Sequence, residues 1–447
     1  MHTPTAQPVS KNADVMQPTT QPGSLLRLAT AGSVDDGKST LVGRLLHDSK
    51  QVFADQLDAV ERVSRERGLD GADLALLTDG LRAEREQGIT IDVAYRYFAT
   101  PRRRFILADT PGHVQYTRNM VTGASTAQLA VVLVDARHGV VEQTRRHAAV
   151  AALLGVPHVV LAVNKMDLAD YAEEVFAPIA DEFADYSRAL GIREVTAIPI
   201  SALRGDNVVE PSGHIDWYSG PTLLEHLETV DVDADQPGSA ARMPVQYVLR
   251  PQSPDFRDYR GYAGQVTAGT FAPGDEVLVL PSGRRTSVAG IDRLGTRDVS
   301  LAHAGQSVTL RLTDDVDVAR GDIIAAADQP PRVARELSAT VCHLADRPLH
   351  AGDRVLLRHG TATVKALVAS LDSVLDLRTL RREPGPEALR ANDIGRVHLR
   401  TASPLPLDDY AEHRRTGSFL LVDEADGTTL TAGMVGEPLG GDTVTKL

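Results

Sequence analysis

The stretch that decides the fold is Gly32-Ser33-Val34-Asp35-Asp36-Gly37-Lys38-Ser39, which fits G-x-x-x-x-G-K-[ST]. It follows an apolar β-type run at 25–31 and opens a helical pattern at 38–46, where Leu41, Val42, Leu45 and Leu46 share one face. Glycines in such a loop let the backbone curl until its N–H groups point inward at phosphate oxygens. The helix N-terminus adds a favourable dipole. Lys38 is placed to neutralise β- and γ-phosphates, and the Ser39 hydroxyl to ligate Mg²⁺.

Outward from this loop, residues 93–99, 105–108, 129–134, 158–163 and 195–200 read as further strands. Helical patterns at 143–154 and 171–190 stop at Gly155 and Gly191, as helix C-caps require. Alternation of strand and helix predicts an open, mostly parallel α/β sheet, and ligands of such sheets bind at the C-terminal ends of the strands. The candidate chemistry falls on that edge. Asp109-Thr110-Pro111-Gly112-His113 follows one strand. Its acid can reach the metal shell, the Gly112 N–H can meet a γ-phosphate, and His113 is placed to orient an attacking water. Thr90, in Arg85-Glu86-Gln87-Gly88-Ile89-Thr90-Ile91, offers a hydroxyl to complete the Mg²⁺ shell.

A base site is expected at Asn164-Lys165-Met166-Asp167. The Asp167 carboxylate can accept from N1–H and N2–H₂ of guanine, a pair of donors that adenine lacks. Asn164 can bond N7 and bridge back to the phosphate loop, and the Lys165 stem can lie over the ring. Ser201-Ala202-Leu203 ends the next strand, where backbone N–H groups can meet guanine O6.

Beyond residue 230 the character changes. Residues 231–242 read as an acidic linker, and short β-type runs separated by turns such as Ala272-Pro273-Gly274-Asp275 predict two small β-barrels, at 243–330 and 331–447. Residues 1–23, rich in Pro, Thr, Gln and Ser, read as a disordered tail without the apolar core of a signal peptide.

The whole chain has 447 residues, 42% apolar and 24% charged, an ordinary composition for a protein with buried cores. With 47 basic and 60 acidic side chains it carries a net charge of −13, which makes it a poor passive binder of DNA or anionic membrane. The apolar runs are far shorter than the roughly 20 residues of a membrane span. A single cysteine, Cys342, excludes a disulfide framework and a thiolate cluster, fits a reducing cytoplasmic setting and reads as a small buried residue. Arg102-Arg103-Arg104 reads as a solvated hairpin turn and Trp217 as a loop-packing residue. His343 and His350 lack ligand spacing, so no metal beyond Mg²⁺ is expected.

These residues resemble the guanine-nucleotide motifs of the elongation-factor-type GTPases. Gly205-Asp206-Asn207-Val208-Val209 and the run from Trp217 to Glu225 are similar to the eukaryotic-type branch. Within it, the phosphate loop through Thr40, Gly43-Arg44-Leu45-Leu46, residues 83–97, Gln115–Met120, Gly123–Thr126, Arg415–Phe419 and Ala432–Val435 resemble the GTPase subunits of two-subunit sulfate adenylyltransferases. Val114 stands where many of those relatives carry an acid, and Asp36 where translation relatives usually carry a histidine. The resemblance implies GTP and Mg²⁺ as ligands, with Gly32, Ser33, Val34, Asp35, Asp36, Gly37, Lys38, Ser39, Thr40, Asp109, Gly112, Asn164, Lys165, Asp167, Ser201, Ala202 and Leu203 holding the nucleotide. Ser39, Thr90 and Asp109 would hold the metal, and His113, Lys38 and Thr90 would serve catalysis. It also implies that GTP hydrolysis drives the uphill conversion of ATP and sulfate into adenylyl sulfate and pyrophosphate on a smaller adenylyltransferase partner. No second P-loop follows, so the adenylylsulfate kinase fused to some members is not expected. The rival readings are a translation-type factor that binds aminoacyl-tRNA and a regulatory GTPase without coupled chemistry. Asp36, Gln87 and the run from Asp92 to Tyr97 favour the sulfate branch.

Overall fold

Strand β1 (Leu25–Gly32) lies at the middle of a six-stranded sheet ordered β2-β3-β1-β4-β5-β6, in the computed structural model, which describes residues 24–49, 74, 93–111, 117–232, 239–251 and 258–439. The other strands are β2 (Ala94–Ala99), β3 (Arg104–Asp109), β4 (Leu129–Asp135), β5 (His158–Asn164) and β6 (Glu194–Pro199). β1 runs parallel to β3 and β4, and β4, β5 and β6 continue parallel. Only the edge strand β2 is antiparallel. Each strand expected from the sequence is present, with ends shifted by a residue or so.

The central strands are buried on both faces, as in a parallel sheet covered by helices. In β4, Leu129, Val131 and Leu133 face one core while Ala130, Val132 and Val134 face the other. The first core is closed by α1 (Lys38–Asp48), through Leu41, Val42 and Leu45, and by α5 (Leu223–Thr229), through Leu223 and Leu227. The second is closed by α2 (Thr117–Ala124), α3 (Glu142–Leu153) and α4 (Glu173–Ala189). The helix predicted from 171 begins two residues later, because Asp170 and Tyr171 both take left-handed backbone conformations, φ 51° and 54°. Helix α5 was not read from the sequence although its start is signalled by Thr222-Leu223-Leu224-Glu225. The Thr222 hydroxyl accepts from the Glu225 N–H at 3.2 Å.

Two closed six-stranded barrels follow. The first runs Glu276–Leu280, Arg284–Asp292, Ser307–Leu312, Gly261–Gln265, Arg242–Leu249 and Ile323–Ala326 before closing on itself. The second runs Arg354–His359, Ser418–Val422, Thr429–Val435, Arg332–His343, Ile394–Leu407 and Ala362–Leu375, with Arg382–Pro384 added outside the ring. A fully buried ion pair joins the barrels. Arg242 Nε and Nη2 reach the two oxygens of Asp408, each at 3.0 Å.

The second barrel shares a core with the α/β domain. Cys342, Ile394, Tyr410, Ala432 and Met434 fall in one apolar cluster with Ala148–Leu154 of the α3 region. The Tyr410 hydroxyl donates to the Leu154 carbonyl at 2.8 Å, the Tyr186 hydroxyl to the Leu377 carbonyl at 2.7 Å, and Arg414 to the Ala127 carbonyl at 3.2 Å. Cys342 is buried as expected, and burial pushes its thiol up to about 12. His343 is also buried, bonded to Thr431 and to the Arg347 carbonyl rather than poised for a metal. Trp217 packs against Phe176 and donates to the Tyr171 carbonyl.

Arg102 and Arg104 are exposed at the hairpin between β2 and β3 as expected, and only Arg103 departs from the solvated-turn expectation. Arg103 is buried, with Nη1 donating to the Leu227 and Val230 carbonyls at 2.9 and 2.7 Å and Nε to the Ser24 hydroxyl. Its guanidinium meets carbonyls at the C-terminal end of α5, a position where a cation is favoured. No helix among the described residues is long and apolar enough to cross a membrane.

Candidate functional site

Four loops meet at the C-terminal edge of the sheet: those after β1, β3, β5 and β6. The loop after β1 is built for a close backbone approach. Gly37 has φ 91°, and a Cβ there would lie 2.4 Å from Asn164 Nδ2, so both conformation and space require glycine. Within the loop the Ser33 N–H donates to Asp36 Oδ2 at 2.6 Å, and the Ser33 hydroxyl is buried. Asp35 is left-handed, φ 68°. Val34 is exposed, and Ser39 and Thr40 stand half-buried in the first turn of α1.

Lys38 and Asp36 are both buried, at 8% and 6% exposure. Burial lowers the Lys38 pKa against the opposing influence of Asp109 and Asp36, and burial raises that of Asp36. A buried ammonium of this kind is at home beside an anion. Asp109, 2% exposed at the end of β3, accepts from the Thr30 hydroxyl at 3.2 Å. Thr110 Oγ1 donates to the Thr30 carbonyl at 2.6 Å and ties the start of the next loop to β1. The Asp109 carboxylate and the Ser39 hydroxyl are hard oxygen donors, a set that suits Mg²⁺. Gly112, His113 and Thr90 lie outside the described residues.

At the other end of the site, Asn164 bridges two loops. Its Nδ2 donates to the Asp36 carbonyl at 2.7 Å, and its Oδ1 accepts from the Ala202 N–H at 2.9 Å. Lys165, left-handed at φ 63°, donates to the Asp35 carbonyl and pairs with Asp135 at 2.9 Å. Asp167 is half-buried and accepts from the Ser201 hydroxyl at 2.7 Å. Leu203 is exposed. The structure therefore brings together the phosphate loop, Asp109, the 164–167 turn and the 201–203 turn.

Two contributors were missed from the sequence. Asp135 ends β4 and anchors Lys165. Its own burial raises its pKa, but hydrogen bonds from Arg137 and from Lys165 outweigh that and hold the carboxyl well below the usual range. Its position at the end of a strand beside β5 was the only available signal. Arg44, on α1, donates from Nε to the Ala202 carbonyl at 3.2 Å and from Nη2 to the Leu203 carbonyl at 2.6 Å, fixing the 201–203 turn to the helix after the phosphate loop. Its partners are far away in sequence, so nothing local announces the role.

The chain is similar to known proteins along most of its length. The elongation factor Tu GTP binding domain family matches residues 24–232, and the GTP-eEF1A C-terminal domain-like family matches residues 336–436. The chain is 56% identical over 413 residues to the bifunctional enzyme CysN/CysC of Mycobacterium tuberculosis, an alignment covering 92% of this chain and 67% of that one. It is 50% identical over 414 residues to the bifunctional enzyme NodQ of Rhizobium sp. (strain N33), covering 92% of this chain and 63% of that one. With sulfate adenylyltransferase subunit 1 of Laribacter hongkongensis it shares 48% identity over 422 residues, covering 93% and 86% of the two chains.

Proposed function

The chain belongs to the sulfate adenylyltransferase subunit 1 family of GTPases, and we propose that its hydrolysis of GTP drives the formation of adenylyl sulfate and pyrophosphate from ATP and sulfate on a smaller adenylyltransferase subunit in the cytoplasm. One observation carries the nucleotide half of this reading. A desolvated lysine in a glycine-permitted phosphate loop is tied by Asn164 to a turn whose carboxylate, Asp167, is aimed by Ser201.

In this reading the phosphate loop, Gly32 through Thr40, wraps the polyphosphate with backbone N–H groups, and Lys38 neutralises its β- and γ-oxygens. Guanine is read by Asp167, with Asn164 at N7, Lys165 along the ring and the 201–203 turn at O6. Ser39, Asp109 and Thr90 would hold Mg²⁺, which when bound neutralises charge developing between the β- and γ-phosphates. Gly112 would donate to the γ-phosphate and His113 would orient the attacking water, which leaves with the γ-phosphoryl group as inorganic phosphate. The smaller subunit would perform the adenylyl transfer.

The test is an assay of adenylyl sulfate formation by the chain co-expressed with a sulfate adenylyltransferase small subunit. With ATP, sulfate and Mg²⁺ present, adding GTP should raise product well above the GTP-free level, and sulfate should raise GTP turnover. Product formation indifferent to GTP, with GTP turnover indifferent to sulfate, overturns the coupling.

A further inference from the structure

Asp167 can discriminate a base only if its carboxylate is held still, and its direct support, the Ser201 hydroxyl, sits on a turn. A second layer holds that turn. The Tyr171 hydroxyl donates to Asp206 Oδ2 at 2.7 Å, and the Ser212 hydroxyl donates to Asp206 Oδ1 at 2.9 Å. Asp206 in turn accepts at its own backbone carbonyl from the Ser201 N–H at 3.1 Å, so the residue that takes the Tyr171 hydrogen bond also pins Ser201. Tyr171 stands four residues past Asp167 and returns by its N–H to the Met166 carbonyl at 2.9 Å. Tyr171 is fixed from two further sides: its ring stacks on His214 with centroids 5.0 Å apart, and its backbone carbonyl accepts from Trp217 Nε1 at 2.9 Å.

Tyr171 also adopts a conformation that has to be held. It follows Asp170 at φ 51° and itself sits at φ 54°, two successive left-handed residues that carry side chains. Such residues persist only where surrounding contacts over-determine them. Here the contacts lead back to Met166 and across to Asp206, His214 and Trp217 in the loop after β6.

We propose that Tyr171 and Asp206 form a clamp between the loop after β5 and the loop after β6, and that this clamp sets guanine specificity by fixing Asp167 through Ser201. Tyr171 and Asp206 are positioning residues. Neither belongs to the phosphate loop, and both lie in the loops that carry Asp167 and Ser201, so the clamp is expected to act on the base contact. The inference rests on the reading of Asp167 as the acceptor for guanine N1–H and N2–H₂.

The test compares GTP with ITP, which has the same ribose and phosphates but lacks the 2-amino group. Displacement of labelled GDP gives both affinities. Tyr171→Phe keeps the ring stack and every backbone contact while removing one hydrogen bond to a carboxylate. It should cut the GTP-over-ITP preference by about three- to tenfold, with ITP, which keeps N1–H but has no 2-amino group, weakened less than GTP, since tenfold is within the reach of one hydrogen bond to a charged group. Asp206→Ala should do the same, and the double variant should lose little more than either single one. Asp206→Asn keeps an oxygen for the phenol and should retain most of the preference. A general structural role would weaken GTP and ITP equally, and that result overturns the proposal. Asp167→Asn is measured alongside. If it abolishes the preference while Tyr171→Phe leaves it intact, the clamp is wrong and the base reading stands. If Asp167→Asn also leaves the preference intact, the base reading itself has failed.

Discussion

Two buried arginine or lysine charges show what the fold does with a cation it removes from water. Arg242, between the barrels, is answered on every side. It meets both oxygens of Asp408 and the carbonyls of Gln329 and Ala241, and Asp408 takes a further hydrogen bond from Thr416 at 2.6 Å. Lys38, in the phosphate loop, has no carboxylate within ion-pair distance among the described residues, and Asp109 and Asp36 act on it only through space. Desolvating a charge is costly unless geometry and hydrogen bonds compensate it. A charge answered within the chain holds two domains together, whereas one answered only from a distance is made for a ligand that arrives with its own charge. The same chemistry thus marks a rivet in one place and a candidate binding site in the other.

The largest expected effect breaks the rivet. Arg242→Ala would leave Asp408 buried without its partner and should destabilise the protein by about 3–5 kcal/mol, the usual cost of breaking a buried pair. Chemical denaturation with a barrel-sensitive probe checks this, and a loss under about 1 kcal/mol would mean that the pair is not the anchor. The complementary change, Lys38→Ala, should do the opposite. GTP affinity should fall by two orders of magnitude or more, by analogy with charges removed from desolvated contacts costing about 2–5 kcal/mol. The melting midpoint without nucleotide should hold or rise, because an uncompensated buried charge has been removed. A lower midpoint in the nucleotide-free protein would show that Lys38 is structural.

A third buried group sharpens the contrast from the neutral side. His147 on α3 is pushed down to about 3 by burial, with Lys38 and Arg146 adding to the effect. An unfolded histidine takes up a proton near pH 6.5, whereas this one stays neutral in the fold, so below that pH the unfolded chain binds more protons. Stability should therefore fall as pH drops from about 6.5 toward 4, by about 1.4 kcal/mol per pH unit for each such histidine. Thermal melts of wild type and His147→Gln across this range check it. Equal acid sensitivity in both would assign the effect to other groups, of which His343 and His359, also lowered by burial, are the first to examine.

What could be read from the sequence depended on distance along the chain. The phosphate loop announces itself because glycines, lysine and serine act within eight consecutive residues between a strand and a helix. The parallel strands announce themselves by continuous apolar runs such as Leu129–Asp135. Residues that act across the fold do not. Arg103 looked like part of a solvated turn because its carbonyl partners lie 124 and 127 residues further on. Arg44 reaches carbonyls 158 and 159 residues away, and Asp135 serves the site only because β4 lies beside β5. The clamp of Tyr171 on Asp206 is equally invisible, because its two partners lie 35 residues apart and a tyrosine gives no local sign of left-handed backbone.

Whether Asp167 reads a guanine base at the ends of β5 and β6 is decided by one substitution. Xanthine has an oxygen where guanine has its 2-amino group, so the Asp167 carboxylate would face an acceptor, whereas an amide offers one acceptor and one donor. Competitive displacement of labelled GDP by GTP and by XTP, in wild type and Asp167→Asn, measures the preference. Each mismatched buried contact costs about 1–3 kcal/mol, and the substitution changes the match for both bases. Asp167→Asn should bind GTP more weakly and XTP more strongly, a swing in preference of at least about two orders of magnitude. A variant that still prefers GTP over XTP by the wild-type ratio would contradict the base reading.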